Sequence, residues 1–357
     1  MDSLDHHNHS LSLNESEADY FEFFHPNCQV TLNHNSKKIA LFVLFLVIFM
    51  AGLLQNLLVI WVNWHSRRVK DSSFNLYIFN LALADLCVVL VIPFWQVDIL
   101  LEYTWLWGVF FCKFTHFFYY ANMYASIFFL TALTVDRYLS ATSKWPFWHR
   151  RQELIRRVVC GSIWALALVL PIAETIHVKL TDFNEPMCMF LAPWESFEAW
   201  SLAMTLLNFI FGFLIPFPIM LVFNLLTSRK LRSAGTAESR RHCLLIYTYI
   251  LVFVLSWLPF HFVLLLLTVH STHSLLDCYS LHVLSFFYEI IECLSMLHCV
   301  LNPILYNFLS KSFRNRFFSA VVHYLPKNRI GTNNQELSSK YNSWRRRLCR
   351  LILYRSL

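Results

Sequence analysis

Four acidic residues, Asp85, Asp98, Glu289 and Glu292, lie within long apolar stretches of the chain. A carboxylate in apolar surroundings needs a cation, a proton or hydrogen-bond donors beside it, so each of these residues is a candidate for a binding site. Glu289 and Glu292 are one helical turn apart. We predict that they line one outer cavity with Asp98, into which a basic ligand segment enters. For Glu289 the alternative is a partnership with a neighbouring polar side chain.

Asp85 is the most deeply placed of the four acids. Asn56, Ser126, His298 and Asn302 lie at corresponding depths of other apolar stretches, and their side chains are candidate partners for its carboxylate. The pattern predicts either a cation site or a purely structural hydrogen-bond network.

Aromatic residues of the same stretches are candidate walls of the predicted cavity. An aromatic side chain offers a large apolar face, and Tyr and Trp add a polar group, although any single aromatic residue is more often a packing residue. The candidates are Trp95, Tyr119, Tyr120, Phe260 and Tyr288, together with His261.

The elements that must position these residues are long apolar helices. The chain has 357 residues, of which 57% are hydrophobic and only 14% are charged, a composition that excludes an ordinary soluble globular protein. About 20 helical residues cross a bilayer core of about 30 Å, and seven apolar segments reach that length. They are residues 39–63, 74–100, 109–141, 158–178, 199–228, 243–269 and 279–309.

The sequence therefore predicts an all-α integral membrane protein in three parts. Residues 1–38 form an N-terminal arm, residues 39–309 form a seven-transmembrane helix bundle, and residues 310–357 form a tail. Within the tail, residues 311–324 have the pattern of a short amphipathic eighth helix that lies on the inner membrane surface.

The distribution of Lys and Arg predicts the orientation of the bundle, because these residues are retained on the cytoplasmic side during insertion. If the arm is outside, only 4 of the 29 Lys and Arg residues lie on the outer side, namely Lys37, Lys38, Lys113 and Lys179. The arm is therefore predicted to be extracellular and the tail cytoplasmic. Residues 1–36 lack the apolar core of a signal peptide, so the first span is expected to start its own insertion.

The arm is acidic, since residues 1–36 contain six Asp and Glu residues and neither Lys nor Arg. Its expected partner is therefore basic. Asn8 and Asn14 lie in glycosylation sequons on the predicted outer side. Tyr20 lies in an acidic stretch, where it is either a sulfated tyrosine or an unmodified aromatic residue.

The predicted outer segments also contain four cysteines, in a compartment that permits disulfide bonds. Four cysteines allow three pairings. Of these we predict Cys112–Cys188 together with Cys28–Cys278. The second bond would hold the arm over the helix bundle.

The tail carries candidate contacts with lipid and with cytoplasmic proteins. Ser338, Ser339 and Ser343 are candidate phosphorylation sites for the recruitment of arrestin, with a solvated linker as the alternative. Residues 344–354 are basic and apolar, so we expect them to touch anionic membrane lipid, and Cys349 is a candidate palmitoylation site. No nucleic-acid partner is expected for a membrane-tethered tail.

Five motifs at ordered positions resemble the signatures of the rhodopsin-like G-protein-coupled receptors. In chain order they are Asn56, Leu81-Ala82-Leu83-Ala84-Asp85, Asp136-Arg137-Tyr138, Trp257-Leu258-Pro259 and Asn302-Pro303-Ile304-Leu305-Tyr306. Finer features are similar to the chemokine receptor branch of this family: Pro93-Phe94-Trp95 with Asp98, His298-Cys299, Glu292, and the second outer cysteine pair.

The resemblance implies a ligand-driven conformational switch. The core of a basic chemokine meets the acidic arm, with Tyr20, its tail enters the cavity, and the sixth span moves to open a cytoplasmic cleft. In the inactive form Arg137 pairs with Asp136, while Trp257 couples the ligand to the kink at Pro259. The implied switch residues are Asp136, Arg137, Tyr138, Trp257, Pro259, Asn302, Pro303 and Tyr306.

The resemblance also implies a bound ion. In the family a sodium ion that favours the inactive state lies beside an acid of the second span. Here Asp85, Ser126 and Asn302 would hold that ion, and no other cofactor or metal is expected.

The chain departs from the chemokine receptor pattern at three places. Leu139-Ser140-Ala141-Thr142 replaces the Leu-Ala-Ile-Val that follows the third-span motif, Asn224 replaces the fifth-span tyrosine, and Val91 replaces the threonine before Pro93. These changes remove groups that face a G protein or support the open form. They favour an atypical receptor that binds and internalises chemokines, with arrestin rather than a G protein as its cytoplasmic partner.

The predicted location is the plasma membrane, as a multi-pass protein that cycles through endosomes. Retention of Asp136-Arg137-Tyr138 keeps a conventional signalling receptor for peptides or chemokines as the alternative. A transporter or channel is disfavoured, because the chain shows no internal repeats. An enzyme is disfavoured too, because no nucleophile and base or metal ligands face each other on the predicted helices.

Overall fold

The structure is a computed structural model that describes residues 32–68, 76–142, 146–182, 185–233 and 235–305, with 313, 315–317 and 320–321. The chain divides into two compact units, Met1–Arg314 and Asn315–Leu357. In the second unit, residues 315–317 and 320–321 are helical. They lie within the predicted amphipathic segment 311–324, most of which is outside the described residues.

Seven helical spans in the described residues are long and apolar enough to cross a membrane, which confirms the predicted bundle. In chain order they are His34–Ser66, Leu76–Leu100, Gly108–Thr142, Arg151–Thr175, Phe197–Arg232, His242–Ser271 and Cys278–Pro303. Large apolar side chains on their outward faces, such as Leu54, Val47, Leu255 and Phe262, are more than half exposed. Such a surface suits lipid as the surrounding solvent.

Three of the spans are single continuous helices. They are His34–Arg68, Gly108–Thr142 and Ala237–His273, the last with Pro259 inside it. The first helix begins within the segment 1–38 that the sequence assigned to the arm. As a result, Lys37 lies on a helix of the bundle.

The other four spans are interrupted. The second consists of Leu76–Val89 and Ile92–Leu100, the fourth of Pro146–Val169 and Ile172–Thr175, the fifth of Phe197–Phe209 and Pro216–Arg232, and the seventh of Cys278–Ser295 and His298–Pro303. In the second, fourth and fifth spans a proline lies at or beside the break, since proline lacks the N–H that would continue the helix.

A π-helical segment, Ile210–Leu214, joins the two halves of the fifth span. Gly212 lies in this segment and packs directly against His261 of the sixth span. A Cβ atom at Gly212 would lie 2.8 Å from two atoms of the imidazole ring, so the close approach of the two spans requires a glycine there.

A two-stranded antiparallel hairpin connects the fourth and fifth spans. Strand β1, Val178–Asp182, pairs with strand β2, Pro186–Phe190, and a short 3-10 turn follows at Trp194–Ser196. The predicted fourth segment extended to residue 178 as helix, and this end was wrong because the helix ends at Thr175. The buried side chain of Val178 instead packs with Trp105 and Cys112, so β1 is fixed against the third span.

Candidate functional site

A cavity of about 530 Å³ opens at the hairpin end of the bundle, by which we mean the end that carries β1 and β2. Three carboxylates from two spans line it. Glu289 and Glu292 come from the seventh span, as the sequence predicted, and Glu174 comes from the fourth. The predicted Tyr288 and Tyr120 also line this space.

The remaining predicted wall residues form a row of ring contacts next to Tyr288. Trp95 contacts Tyr119 with ring centroids 6.0 Å apart, Tyr119 contacts Phe260 at 6.2 Å, and Phe260 contacts Tyr288 at 6.3 Å. The row therefore connects the second span to the cavity through the buried third and sixth spans. Asp98 lies near enough to Glu289 for their carboxylates to repel each other, but it is outside the cavity lining.

Glu289 has an internal partner, as the alternative interpretation of this residue predicted. Its carboxylate accepts a hydrogen bond from Lys37 Nζ at 2.8 Å and another from the Tyr103 hydroxyl at 2.5 Å. Lys37 is only 7% exposed, whereas Glu289 is 32% exposed, so the pair is shielded from water on the lysine side. Burial and the nearby Glu289 carboxylate raise the pKa of the Tyr103 phenol well above its usual range, which keeps it protonated as a donor.

Sequence reasoning missed Glu174 and the polar network that holds it. Its carboxylate accepts a hydrogen bond from Asn208 Nδ2 at 3.2 Å and lies 3.5 Å from His116 Nε2. The Tyr124 hydroxyl donates to Asn208 Oδ1 at 2.5 Å. Like Asp98, Glu174 is an acid near the end of an apolar segment. The reasoning that an ionisable residue at membrane depth is a candidate for a binding site would therefore have selected it as well.

A second polar cluster surrounds Asp85 in the middle of the bundle. The Asp85 carboxylate is fully buried and accepts hydrogen bonds from Ser126 Oγ at 2.6 Å, Asn122 Nδ2 at 3.1 Å and Asn302 Nδ2 at 3.2 Å. His298 Nε2 lies 3.7 Å from it. Ser126, His298 and Asn302 thus meet at Asp85 as predicted. Asn56 instead donates to the backbone oxygens of Gly52 and Cys299.

The side chains around Asp85 offer few oxygen atoms to an ion. A carboxylate only accepts hydrogen bonds, so Asn122 and Asn302 direct their amide nitrogens toward it. The oxygen ligands that remain are Asp85 and Ser126, whereas hard cations take sets of oxygen ligands. A nitrogen from His298 and a sulfur from Cys299 complete the cluster. The predicted sodium ion stays a prediction, and this donor set fits it poorly.

The third-span motif lies at the end of the bundle that carries Arg137 and Arg156. We call this end the arginine end. Arg156 of the fourth span donates to Asp136 through Nη2 at 2.6 Å and through Nε at 3.0 Å. Asp136 is therefore bonded to another span, and its implied pairing with the neighbouring Arg137 stays a prediction. Adjacent residues of a helix point in different directions, and the planar guanidinium of Arg156 reaches the carboxylate with two donors.

Arg137 lies beside the sixth span, with its guanidinium carbon 5.8 Å from the ring centroid of Tyr249. The Tyr249 hydroxyl donates to the backbone oxygen of Leu305 at 2.7 Å. Trp257, a predicted switch residue of this span, is buried and packs against His298 with ring centroids 4.8 Å apart and the ring planes tilted by 40°. The sixth span therefore contacts both the motif of the third span and that of the seventh.

The residues that depart from the chemokine receptor pattern also make contacts at the arginine end. Gln152 Nε2 donates to Ser140 Oγ at 2.6 Å, and Lys230 Nζ donates to the backbone oxygen of Ala141. Tyr138 packs on Phe223 with ring centroids 5.4 Å apart. These contacts connect the end of the third span to the fourth and fifth spans.

The structure contains the predicted disulfide bond Cys112–Cys188, which connects the third span to β2. Cys278 is disulfide-bonded as well, and Cys28, its predicted partner, lies outside the described residues. The other predictions that fall outside the described residues concern Asn8, Asn14, Tyr20, Tyr306, Ser338, Ser339, Ser343 and Cys349.

Comparisons with known proteins agree with the motifs. A family model described as 7 transmembrane receptor (rhodopsin family) matches residues 55–306. G-protein coupled receptor 182 of Rattus norvegicus is 55% identical over 301 residues, which cover 84% of this chain and 76% of that receptor. The human receptor of the same name is 52% identical over 309 residues, covering 87% and 76%. Residues 122–126 and 239–243 resemble this receptor, and the comparison confirms that resemblance.

A more distant relative is atypical chemokine receptor 3 of Rattus norvegicus. It is 34% identical over 299 residues, which cover 83% of this chain and 82% of that receptor. The similarity of both kinds of relative extends through nearly all of the helical bundle rather than through single motifs.

Proposed function

Because this chain belongs to the rhodopsin family of seven-transmembrane receptors, we propose that it is a cell-surface receptor that binds basic chemokines and internalises them with little or no G-protein activation. Members of this family are receptors and not enzymes. The proposed orientation places the acidic arm and the hairpin end outside the cell, and the arginine end inside.

The acidic cavity is the observation that carries this proposal. Of its three carboxylates, Glu289 is paired with Lys37 and Glu174 is held by Asn208. In the part of the chain that the structure describes, the Glu292 side chain has neither an ion-pair nor a hydrogen-bond partner. A carboxylate among apolar walls is costly without a cation, so Glu292 suits the basic tail of a protein ligand.

The identity of the ligand rests on two further observations. The arm carries six acidic residues without Lys or Arg, and a similar chain is a receptor whose name refers to chemokines. We propose that the arm captures the folded core of the ligand while its tail enters the cavity, with Trp95, Asp98, Tyr119, Phe260 and Tyr288 around it. Tyr20 sulfation and glycosylation at Asn8 and Asn14 belong to the same proposal.

The contacts of the arginine end support uptake rather than G-protein activation. Arg156 of the fourth span donates to Asp136. Ser140 accepts a hydrogen bond from Gln152, and the backbone oxygen of Ala141 accepts one from Lys230, so both residues are bonded to other spans. Asn224 is buried where conventional receptors carry a tyrosine. These contacts engage the third-span motif and the residues that follow it, which a G protein would otherwise face, so we propose arrestin as the cytoplasmic partner and cycling between the plasma membrane and endosomes.

The experiment that tests this proposal measures two responses in the same cells. Cells expressing the chain receive a panel of labelled chemokines, and ligand uptake and G-protein activation are recorded in parallel. We expect uptake of at least one chemokine without G-protein activation. Activation comparable to that of a conventional receptor would establish a signalling receptor, which the retained Asp136-Arg137-Tyr138 motif favours. The absence of binding by every chemokine would overturn the ligand class.

A further inference from the structure

Three side chains of types that bind transition metals meet in the middle of the bundle. They are Asp85 of the second span and His298 and Cys299 of the seventh, and their ligand atoms all lie within 4.8 Å of one another. All three are buried, and Asp85 and Cys299 have no exposed surface. A carboxylate, an imidazole and a thiol are a set that zinc accepts, whereas sodium has no preference for nitrogen or sulfur.

The hydrogen bonds of His298 orient its ring as a metal ligand. Its Nδ1 lies 2.7 Å from the backbone oxygen of Ser295, and because a carbonyl only accepts, Nδ1 carries the proton. In the neutral ring the lone pair is then on Nε2, which faces Asp85 and Cys299. Histidines that bind metals are usually fixed in this way. The ring nitrogen that does not bind the metal donates a hydrogen bond to a carbonyl or carboxylate oxygen.

A protonated His298 does not explain the cluster equally well. An imidazolium would donate from Nε2 to the carboxylate, and such a bond has a donor–acceptor distance of about 2.7–3.2 Å. The observed separation of Nε2 and Asp85 Oδ1 is 3.7 Å. The lone pair of Nε2 and the carboxylate oxygen therefore face each other beside the Cys299 thiol, whose proton an intervening cation would displace.

Two of the three separations between these atoms are close to those of a tetrahedral zinc site, and the third is within 4.8 Å. With Zn–S bonds of about 2.3 Å and Zn–N or Zn–O bonds of about 2.0–2.1 Å, neighbouring ligand atoms lie roughly 3.3–3.6 Å apart. Here Nε2 of His298 lies 3.4 Å from Cys299 Sγ and 3.7 Å from Asp85 Oδ1. Both values need adjustments of only a few tenths of an ångström.

We infer that Asp85, His298 and Cys299 bind a zinc ion inside the helical bundle. These three protein ligands leave the fourth position of a tetrahedral zinc ion open. On binding, the Cys299 thiol loses its proton to the solvent and the thiolate bonds to the metal. The two positive charges of zinc then balance the thiolate and the carboxylate, so the buried complex is neutral, which suits the membrane interior.

Bound zinc would join two spans that carry different motifs. Asp85 belongs to the second span and His298 to the seventh, and His298 packs against Trp257 of the sixth. A small space of about 10 Å³ adjoins His298 and Asn302 and is lined by Tyr249 and Trp257 of the sixth span. Fixing the His298 ring would stabilise the contact with Trp257, and hence the arrangement of the sixth span described here.

The test measures metal-dependent stability of the purified full-length receptor after treatment with EDTA. Zinc chloride at a concentration 100-fold above its Kd is expected to raise the Tm of the unchanged receptor by roughly 5 °C. Cys299→Ser is expected to abolish this shift. Cys293→Ser is the matched control, because Cys293 is equally buried on the same span but outside the cluster, and it should keep the full shift.

Cobalt provides a direct measurement of the ligands. Cobalt chloride added to the unchanged receptor should produce a thiolate-to-cobalt absorption band, which Cys293→Ser retains and Cys299→Ser loses. A lack of both the Tm shift and the band in the unchanged receptor would overturn the inference. So would an equal zinc shift in Cys299→Ser, which would place the metal elsewhere, or stabilisation by sodium chloride but not by zinc. If Cys299→Ser does not fold, the cobalt band in the other two proteins decides.

Discussion

The two ends of the helical bundle handle charge in opposite ways. At the arginine end, charged side chains find their partners within the chain. Arg156 forms an ion pair with Asp136, and Lys230 donates a hydrogen bond to the backbone oxygen of Ala141. At the hairpin end, three carboxylates line a cavity, and in the described residues one of them, Glu292, has no partner. The comparison indicates that the arginine end is satisfied by the chain itself, whereas the hairpin end is completed by a ligand.

The difference has a physical reason. The Asp136 side chain is buried and the Glu292 side chain is partly buried, and a charge withdrawn from water without a counter-charge is costly. The fold avoids this cost at Asp136 through two donors from one guanidinium. It leaves the cost at Glu292, where the binding of a cationic group relieves it.

The largest expected effect concerns the covalent connection at the hairpin end. Replacing Cys112 and Cys188 together by serine releases β2 from the third span across a sequence separation of 76 residues. We expect a loss of about 4 kcal/mol in the free energy of unfolding, with most of the receptor lost from the cell surface. Surface labelling and the Tm of the purified protein measure this. Cys87→Ser, which removes a free cysteine, should change neither.

The self-sufficiency of the arginine end can be tested with two neighbouring arginines. Arg156→Gln leaves the buried Asp136 without its cation and should lower the free energy of unfolding by about 3 kcal/mol. Arg157→Gln removes a partner of Glu153 in an exposed pair and should cost less than about 0.5 kcal/mol. Thermal unfolding of both variants gives the comparison. Equal effects would show that the Asp136 pair is no more important than a surface contact.

The dependence of the hairpin end on a ligand can be tested at Glu292. Glu292→Gln removes the charge that we assign to the ligand tail and should weaken tail-dependent binding about tenfold, or 1.4 kcal/mol. Capture by the arm should change much less. Glu198→Gln, at an exposed acid outside the cavity, is the control. Binding of intact and tail-truncated ligand separates the two contributions, and equal losses for both ligands would contradict the two-site mode of binding.

The smallest expected effect sharpens the comparison within the hairpin end. Lys37→Met removes the internal partner of Glu289 and leaves a second carboxylate for the ligand, so affinity for a basic ligand should rise about threefold. Lys38→Met, which affects only the exposed pair with Glu102, should leave the affinity unchanged. Equilibrium binding measures both. A lower affinity in Lys37→Met would mean that Lys37 itself contributes to ligand binding or to the shape of the cavity.

The sequence predicted the spans and the Asp85 cluster because membrane depth constrains both. An apolar segment of sufficient length has few alternatives in a bilayer, and polar residues at equal depth tend to meet. The partners of single charges were harder to predict. Arg156 reaches Asp136 because the fourth helix is rotated about its own axis so that this side chain faces the third span. The hydropathy of the fourth span does not predict that rotation.

The short elements between the spans were also beyond sequence reasoning. Val178–Asp182 and Pro186–Phe190 are too short for a reliable alternation of apolar and polar residues, and their pairing depends on packing against the third span. Lys37 was assigned to the arm because the first apolar segment was predicted to begin at residue 39. Its contact with Glu289 follows only from the start of the first helix at His34.

The contact of Gly212 with His261 also limits how this receptor can diverge. Any side chain at position 212 would overlap the imidazole at its present place, whereas a smaller residue at position 261 would leave room for one. Substitutions at the two positions are therefore expected to appear together among descendants of this sequence, with the change at 261 first. A descendant that keeps histidine at position 261 is therefore expected to keep glycine at position 212.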